Sequence, residues 1–347
     1  MALEVPEKIN TMNIIIPMAG RGSRLRPHTL TVPKPLIPVG GKPIVHRLVE
    51  DIVAVCGSEI QEIAFVVGHF GEEVERELIA VAEMFGARGS IHYQETPLGT
   101  GHAVLCAKNL LKGPVVVAFA DTLFNADFKI SPDDDGILWV KQIENPSDFG
   151  VVKLNSLGEI VDYIEKPKEF VSDLAMIGVY YFKEGEKLLQ ELEYLVSNNI
   201  IKSGEYQLPD ALRRLTEKGC LFKPGAVNEW LDCGNKDVTV HTNSRVLDYD
   251  FQKNPTPTRK NVTLLNSIII EPCFIDENIL IENSIIGPHV SIGKDSTLMD
   301  CRITDSILQN NCTINNMNIT NSMIGSHVIL RNTPSVLSIG DFSTINE

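Results

Sequence analysis

The sequence lacks several features that would place it in common classes of protein. Its seven cysteines are an odd number without a Cys-x-x-Cys pair, so we expect reduced, packed thiols rather than a disulfide framework or a zinc site. No apolar run approaches the length of a membrane span, and residues 1–12 carry no signal-peptide pattern. These absences predict a cytoplasmic protein.

Positive charge is also scarce, because 31 lysines and arginines stand against 45 aspartates and glutamates, a formal net charge of −14 at pH 7. This balance disfavours nucleic acids and anionic membranes as partners, since both would require a basic face. Any phosphate ligand must therefore be held by a few local cations rather than by a general positive field.

Cations do cluster in one stretch of the chain, residues 13–43. The β-branched run Ile14–Ile16 predicts a buried strand, and Gly20 and Gly22 follow it, where backbone N–H groups could approach an anion closely. Four cations lie within the next residues: Arg21, Arg24, Arg26 and Lys34. A glycine loop that leaves a strand, with fixed cations behind it, is what a triphosphate would need. No Gly-Lys-Ser/Thr ends the loop, so it is not a Walker A loop.

The first part of the chain alternates between strand and helix patterns. The predicted strands are 13–17, 62–67, 90–94 and 114–119, and the predicted helices are 43–56, 71–85 and 100–110. This order predicts right-handed βαβ units and an α/β, Rossmann-like, mostly parallel sheet. Ligands of such sheets bind beyond the carboxyl ends of the strands, where both the glycine loop and Asp121 are expected.

The spacing of apolar residues changes in the C-terminal part of the sequence. We expect one catalytic domain over 13–250 and a polar, proline-punctuated linker over 251–260. Beyond it, over 261–335, Ile and Leu recur at steps of five or six residues. Such steps predict about four coils of a hexapeptide-type parallel β-helix, with a β-sandwich as the alternative. An uncapped coil end is a ready interface, so we expect a homo-oligomer assembled through the β-helix.

Several ordered motifs resemble the signature of the sugar-1-phosphate nucleotidylyltransferases, the nucleotide-sugar pyrophosphorylases. Gly20-x-Gly22-x-Arg24-Leu25-x-Pro27 precedes Pro33-Lys34-Pro35-Leu36. The later motifs are Gln94-Glu-Thr-Pro97-Leu-Gly99, Ala120-Asp121, Glu165-Lys166-Pro167 and Trp230-Leu231-Asp232. The resemblance covers roughly 13–235, and Ile286-Gly287 and Ile292-Gly293 resemble the signature of left-handed β-helices. The whole is similar to glucose-1-phosphate thymidylyltransferases with a left-handed β-helical tail.

The resemblance implies a role for each matching residue. Nucleotide-binding residues would be Ala19, Gly20, Gly22, Arg24, Lys34, Gln94 and Gly99. Sugar-phosphate-binding residues would be Gly150, Glu165, Lys166, Gly178 and Glu205. Asp121 and Asp232 would hold Mg²⁺, while Arg24, Lys34 and Lys166 would act in catalysis. Two positions depart from the family pattern, because Ala120 replaces a usual Gly and Ser203 replaces an Arg found in many thymidylyltransferases.

The resemblance implies nucleotidyl transfer from a nucleoside triphosphate, dTTP or UTP, to a sugar 1-phosphate, with glucose 1-phosphate as the expected acceptor. The attacking phosphate oxygen is already an anion, so the reaction needs no general base, only Mg²⁺, fixed cations and alignment. Mannose-1-phosphate guanylyltransferase and a non-catalytic regulatory subunit are the alternatives. A third alternative is an acyltransferase site in the β-helix. The only histidines in the sequence of that predicted domain are His289 and His327.

Overall fold

The computed structural model describes residues 11–333 apart from 21, 127–129, 132 and 203. Arg21, Ser203 and the last two positions of the predicted β-helix, 334–335, therefore lie outside the described residues. The chain divides into two compact units. The first combines the residues up to Ile37 with Pro43–Gly234, and the second combines Pro38–Lys42 with the residues from Asn235 onwards.

The elements up to Ala118 follow the predicted alternation, and five strands then succeed one another before the next α-helix. Helix α1 shows the local logic, because Ile44, Leu48 and Ile52 form a buried face and Gly57 ends the helix with φ 61°. In chain order the elements are β1 Met12–Pro17, β2 Pro38–Val39, β3 Lys42–Pro43, α1 Ile44–Cys56, β4 Ile60–Val67, α2 Glu72–Met84, β5 Arg88–Tyr93, α3 Thr100–Cys106, β6 Val115–Ala118, β7 Thr122–Asn125, β8 Gly136–Gln142, β9 Gly150–Leu154, β10 Ile160–Glu165, β11 Leu174–Phe182, α4 Gly185–Ser197, α5 Leu208–Glu217, β12 Phe222–Ala226 and β13 Glu229–Asp232.

A nine-stranded sheet forms the centre of this unit, in the order β5-β4-β1-β6-β11-β8-β12-β10-β9. Strands β5, β4, β1 and β6 are parallel, as the βαβ pattern predicts. Strand β11 runs antiparallel to both β6 and β8, and β10 runs antiparallel to β12 and β9. The carboxyl ends of β1 and β6 therefore meet at one edge, which brings the glycine loop and Asp121 together.

A second, two-stranded sheet brings a distant carboxylate to the same edge. Strand β13 pairs antiparallel with β7, and Asp232 lies opposite Thr122 in the register. Thr122 is buried and its Oγ1 donates to the carbonyl of Ile177 at 2.8 Å. Because Asp121 directly precedes Thr122, this pairing places Asp232 beside it.

The C-terminal unit contains a parallel β-helix. Its elements are α6 Lys236–Lys253, β14 Val262–Leu265, β15 Ile268–Ile269, β16 Cys273–Ile275, β17 Ile279–Glu282, β18 Ile285–Ile286, β19 Val290–Ile292, β20 Thr297–Met299, β21 Arg302–Ile303, β22 Ser306–Leu308, β23 Thr313–Asn315, β24 Asn318–Ile319, β25 Ser322–Ile324 and β26 Ile329–Arg331. These strands stack in three parallel columns of five, four and four. Ile281, Leu298 and Ile314 align in register and are fully buried. This is the arrangement of the left-handed β-helix that the five- and six-residue steps predict.

Short polar side chains form the corners of the coils. Asn266, Asn283 and Asp300 occupy successive coils with φ of 47°, 48° and 53°. Asn and Asp tolerate this left-handed conformation better than other side chains. Asn266 Nδ2 donates to Asn283 Oδ1 at 2.9 Å, so the corner amides also stack along the helix. These Asn and Asp residues are therefore the corner residues of the β-helix.

Helix α6 belongs to the C-terminal unit, which differs from the expected domain boundary at 250. Asn243 Oδ1 accepts hydrogen bonds from the backbone N–H of Gly40 at 2.8 Å and from Ser291 Oγ at 2.7 Å. These bonds join α6 to the segment Pro38–Lys42 and to the β-helix. The linker expected over 251–260 begins inside α6, which continues to Lys253.

The sequence predicted free cysteine thiols and no membrane-spanning segment. The seven cysteines are free thiols, and five of them are buried. Burial raises the pKa of the Cys273 thiol to about 12, which is typical of an inert packed cysteine. Within the described ranges, none of the helices has both the length and the apolar character that crossing a bilayer requires.

We predict that Leu298→Ala destabilises the protein by about 2–5 kcal/mol, because Leu298 is fully buried in the interior of the β-helix. Leu157→Ala is the matched control, since Leu157 is 79 % exposed. The control should cost less than about 1 kcal/mol. Denaturant unfolding followed by circular dichroism measures both values, and equal losses would contradict the assigned interior of the β-helix.

Candidate active site

A cavity of about 390 Å³ lies at the sheet edge where β1 and β6 end. Its lining comes from segments far apart in the chain. They are the glycine loop, the Lys34 segment, the Gln94–Ala103 segment, the residues after β6, Glu205 and Gly234. The predicted residues in the lining are Ala19, Gly20, Gly22, Arg24, Lys34, Gln94, Gly99, Asp121 and Glu205. The structure therefore gathers the predicted nucleotide-binding residues in one place.

The glycine loop is held in a tight conformation. Gly22 has φ 59°, and a Cβ at this position would lie 2.8 Å from Lys34 Cβ. Its carbonyl accepts a hydrogen bond from Thr29 Oγ1 at 2.8 Å. Only glycine combines this left-handed backbone with such close approach of Lys34. The loop thus packs directly against the lysine that follows it in the motif.

Lys34 and Asp121 form an ion pair at the floor of the cavity. Lys34 is only 8 % exposed, and its Nζ lies 3.0 Å from Asp121 Oδ2. A buried ammonium group requires a partner, because taking it out of water is costly. Asp121 is more accessible, with 43 % of its side chain exposed. Its carboxylate can therefore hold Lys34 and still meet a ligand from the cavity.

Asp232 joins this cluster from β13. Burial and the neighbouring charge of Asp121 raise the pKa of the Asp232 carboxyl. The charges of Lys34 and Arg24 act in the opposite direction. A Cβ at Gly234 would lie 2.7 Å from Asp232 Oδ2 and 3.3 Å from Arg24 Nη2, so both side chains flank the α-carbon of Gly234. Two carboxylates and two cations therefore share this corner of the cavity.

The two carboxylates could bind a divalent cation whose remaining coordination positions are filled by phosphate oxygens of a bound nucleotide and by water. Asp121 and Asp232 repel each other, and a cation between them would offset that repulsion. No group of three or more His, Cys, Asp or Glu suited to a metal occurs in the described part of the chain. Mg²⁺ commonly binds through one or two carboxylates plus phosphate oxygens and water, so a pair is sufficient for this ion.

The segment from Gln94 to Thr100 is buttressed by residues 205–208. Gly99 has φ 108°, and a Cβ there would lie 2.6 Å from the carbonyl oxygen of Tyr206. Tyr206 N donates to the carbonyl of Leu98 at 2.8 Å. Glu205, expected at the sugar phosphate, lies beside Gly99, because a Cβ on Gly99 would lie 2.7 Å from Glu205 Cβ. The nucleotide segment and the Gly204-Glu205 motif thus form one wall.

The remaining predicted sugar-phosphate residues lie outside the lining of this cavity. A Cβ at Gly150 would lie 2.8 Å from Glu165 Oε2, so these two residues are in contact. Lys166 follows β10 with φ 45°, a strained conformation for lysine, and its N–H donates to the carbonyl of Phe149 at 3.1 Å. Strain of this kind is often stored at functional sites. Gly178 accepts from the N–H of Phe119, which lines the cavity.

Sequence reasoning missed several residues of the lining. Phe119 precedes Ala120-Asp121, and Gly234 follows Trp230-Leu231-Asp232. Both were adjacent to recognised motifs, so proximity to those motifs was an available signal. His102 is outside the lining and belongs to the recognised segment that begins at Gln94, but the sequence did not indicate that its Nδ1 would lie 3.2 Å from Gln94 Nε2.

Comparison with known proteins identifies the family. The Nucleotidyl transferase family model matches residues 13–248. The chain belongs to the nucleotidyl transferase family. It is 33 % identical over 266 residues to the bifunctional protein GlmU of Methanococcus maripaludis, a match that covers 75 % of this chain and 60 % of that relative. It is 26 % identical over 359 residues to a glucose-1-phosphate thymidylyltransferase of Streptomyces griseus, covering 96 % of this chain and 98 % of the relative.

A solved structure shares the fold of this family member. The structure of a UDP-glucose pyrophosphorylase complexed with UDP-glucose superimposes with a TM-score of 0.56 at 24 % identity. The match covers 69 % of this chain and all of that one. At this identity the likeness concerns the fold alone, and it agrees with the Rossmann-like domain predicted from the sequence.

We predict that Gly99→Ala costs about 1–3 kcal/mol more stability than Gly71→Ala. Both glycines have similar positive φ, 108° and 95°, but a Cβ at Gly71 meets nothing within 4 Å. The difference in unfolding free energy therefore isolates the clash with Tyr206. Denaturant unfolding of the two variants measures it, and equal losses would show that residues 205–208 do not hold the Gln94 segment.

Proposed function

We propose that the chain transfers a nucleotidyl group from a nucleoside triphosphate to a sugar 1-phosphate. The observation that carries this proposal is the cluster of Arg24, Lys34, Asp121 and Asp232 beside the glycine loop. It supplies fixed cations and paired carboxylates at one cavity of a nucleotidyl transferase family member, with Arg24, Lys34 and Asp121 in the lining and Asp232 beside them. Such a set suits phosphoryl chemistry, in which positioning and charge neutralisation dominate catalysis.

In the proposed reaction an oxygen of the sugar 1-phosphate forms a bond to the α-phosphorus. The bond from that phosphorus to the oxygen bridging to the β-phosphorus breaks, and pyrophosphate leaves with the electron pair. The backbone of Ala19, Gly20 and Gly22 would bind the phosphates, and Arg24 and Lys34 would neutralise their charge. Lys166 would bind the incoming sugar phosphate as a point charge.

Mg²⁺ is the proposed cofactor, held by Asp121 and Asp232 together with phosphate oxygens. When bound, it would polarise the phosphate oxygens and offset the repulsion between the two substrates. The repulsion between the two carboxylates supports this assignment. Lys34 would then serve both the phosphates and Asp121, since its Nζ already lies 3.0 Å from that carboxylate.

The proposed substrates are dTTP or UTP and glucose 1-phosphate. The likeness to the glucose-1-phosphate thymidylyltransferase of Streptomyces griseus, which extends over nearly the whole chain, supports this choice. Glu165, in contact with Gly150, would accept hydrogen bonds from sugar hydroxyls. GTP with mannose 1-phosphate is the alternative that the same assay tests, and a non-catalytic subunit would show no turnover at all.

The surroundings of His289 in the β-helix do not support an acyltransferase activity. His289 Nε2 lies 2.9 Å from Asp248 Oδ1, and its Nδ1 lies 3.3 Å from Asp305 Oδ1. Both ring nitrogens are therefore engaged by carboxylates, which leaves neither free to act as a base towards a substrate. We accordingly assign no separate reaction to this unit.

Assembly of a homo-oligomer through the β-helix remains a prediction. It is supported by the first coil, which exposes Leu264, Leu265, Ile268 and Ile270 by 41 %, 48 %, 60 % and 43 %. Strands β14 and β15 also lie at the edges of their columns. Light scattering coupled to size-exclusion chromatography measures the subunit number directly.

We predict that the protein releases pyrophosphate from dTTP or UTP with glucose 1-phosphate in the presence of Mg²⁺. Asp121→Asn should lower the rate by about 10²-fold or more, because it removes a charge that neutralises the metal and pairs with Lys34. The assay tests dTTP, UTP, GTP, CTP and ATP against glucose 1-phosphate and mannose 1-phosphate.

Asp300→Asn is the matched control for this experiment. Asp300 occupies a corner of the β-helix where the equivalent positions of neighbouring coils, Asn283 and Asn316, are already asparagine. The control should keep full activity and stability. No release with any pair of substrates by the folded wild-type protein would refute the proposed function, and equal loss in both variants would refute the role of Asp121.

A further inference from the structure

The side-chain amide of Gln94, which lines the cavity, has a defined orientation. Gln94 Nε2 lies 3.1 Å from the carbonyl oxygen of Gly99 and 3.2 Å from His102 Nδ1. A carbonyl oxygen can only accept hydrogen bonds, so the amide atom that faces it must be the NH₂ group. The contact with Gly99 therefore settles which end of the amide is the donor.

The contact with His102 uses the second N–H of the same group. His102 Nδ1 must then carry a lone pair, which makes this imidazole neutral with its proton on Nε2. Burial lowers the pKa of the His102 imidazole, which favours this neutral form at pH 7. Both N–H groups of Gln94 are thus occupied by protein acceptors.

The oxygen of the Gln94 side chain is the polar atom left for a ligand. Gln94 lines the cavity, whereas His102 is not part of the lining. No hydrogen bond to Gln94 Oε1 occurs among residues 11–333 where the structure describes them. This oxygen can accept a hydrogen bond but cannot donate one.

We propose that His102 is a positioning residue that, with the Gly99 carbonyl, orients Gln94 to select nucleobases with a ring N–H. Uracil and thymine present N3–H and guanine presents N1–H at the corresponding edge, whereas cytosine N3 and adenine N1 carry lone pairs. A lone pair facing Gln94 Oε1 is repelled and leaves this acceptor without a hydrogen bond from the base. This inference rests on the proposed function, because it concerns the triphosphate that the cavity receives.

Equilibrium binding of UTP and CTP in the presence of Mg²⁺ tests the inference without requiring turnover. These two ligands differ only at positions 3 and 4 of the base. We expect the wild-type protein to bind UTP at least about 10-fold more tightly than CTP, which is the scale of one well-placed hydrogen bond. Equal affinities, or no binding of either nucleotide, would overturn the inference.

Two variants then test His102 itself. His102→Leu keeps a similar volume but removes one of the two acceptors. The preference for UTP should therefore fall by about 3-fold or more, because the Gly99 carbonyl alone then holds the amide. His102→Asn places an amide oxygen near the position of Nδ1 and should retain most of the wild-type preference. Melting temperatures report whether each variant is folded.

The outcomes separate the inference from the proposed function. An unchanged preference in His102→Leu, or its loss in His102→Asn as fully as in His102→Leu, would refute the positioning role. If the wild-type protein discriminates UTP from CTP but releases no pyrophosphate with any sugar 1-phosphate, the inference stands and the proposed function fails. A loss of overall affinity without a change in the ratio would show a structural role only and would also refute the inference.

Discussion

A buried lysine keeps its charge only beside an anion, and the pair formed by Lys34 and Asp121 is the constraint around which this site is built. Lys34 is 8 % exposed and its side-chain carbons pack against Gly22, so little solvent is left to compensate for the burial of its ammonium group. Asp121 supplies the compensating charge at 3.0 Å. The glycine loop, the end of β6 and the lysine segment are therefore held at one point in a chain whose net charge is −14.

The fold explains why these groups meet. Parallel pairing places the ends of β1 and β6 at one edge of the sheet, and the β7–β13 pairing carries Asp232 to the same edge from more than a hundred residues away in the sequence. Residues 205–208 hold Leu98 and Gly99 in place, chiefly through their backbone, and Glu205 lines the cavity. A nucleotide site made in this way depends on backbone geometry as much as on its charged side chains, which suits ligands that are themselves polyanions.

Much of this arrangement could be predicted from the sequence, because strong local patterns carried it. The βαβ alternation predicted β1, β4, β5 and β6, and the five- and six-residue steps predicted the β-helix. The unit to which α6 belongs could not be predicted, since it depends on hydrogen bonds of Asn243 with Gly40 and Ser291. The contact of His102 with Gln94 was also out of reach, because the segment that contains both residues was recognised as a sequence motif while the orientation of His102 depends on how helix α3 is placed. The position of Glu205 beside Gly99 likewise depends on a turn between distant segments.

The most direct test of this account follows the atoms of the reaction. Sugar 1-phosphate labelled with ¹⁸O in its phosphate group is incubated with the protein, Mg²⁺ and UTP or dTTP, and the products are resolved by ³¹P NMR. The account predicts that all of the label stays in the nucleotide sugar and that the pyrophosphate is unlabelled, because the sugar phosphate attacks the α-phosphorus. Label in pyrophosphate or in inorganic phosphate would contradict that displacement and the site assigned to it.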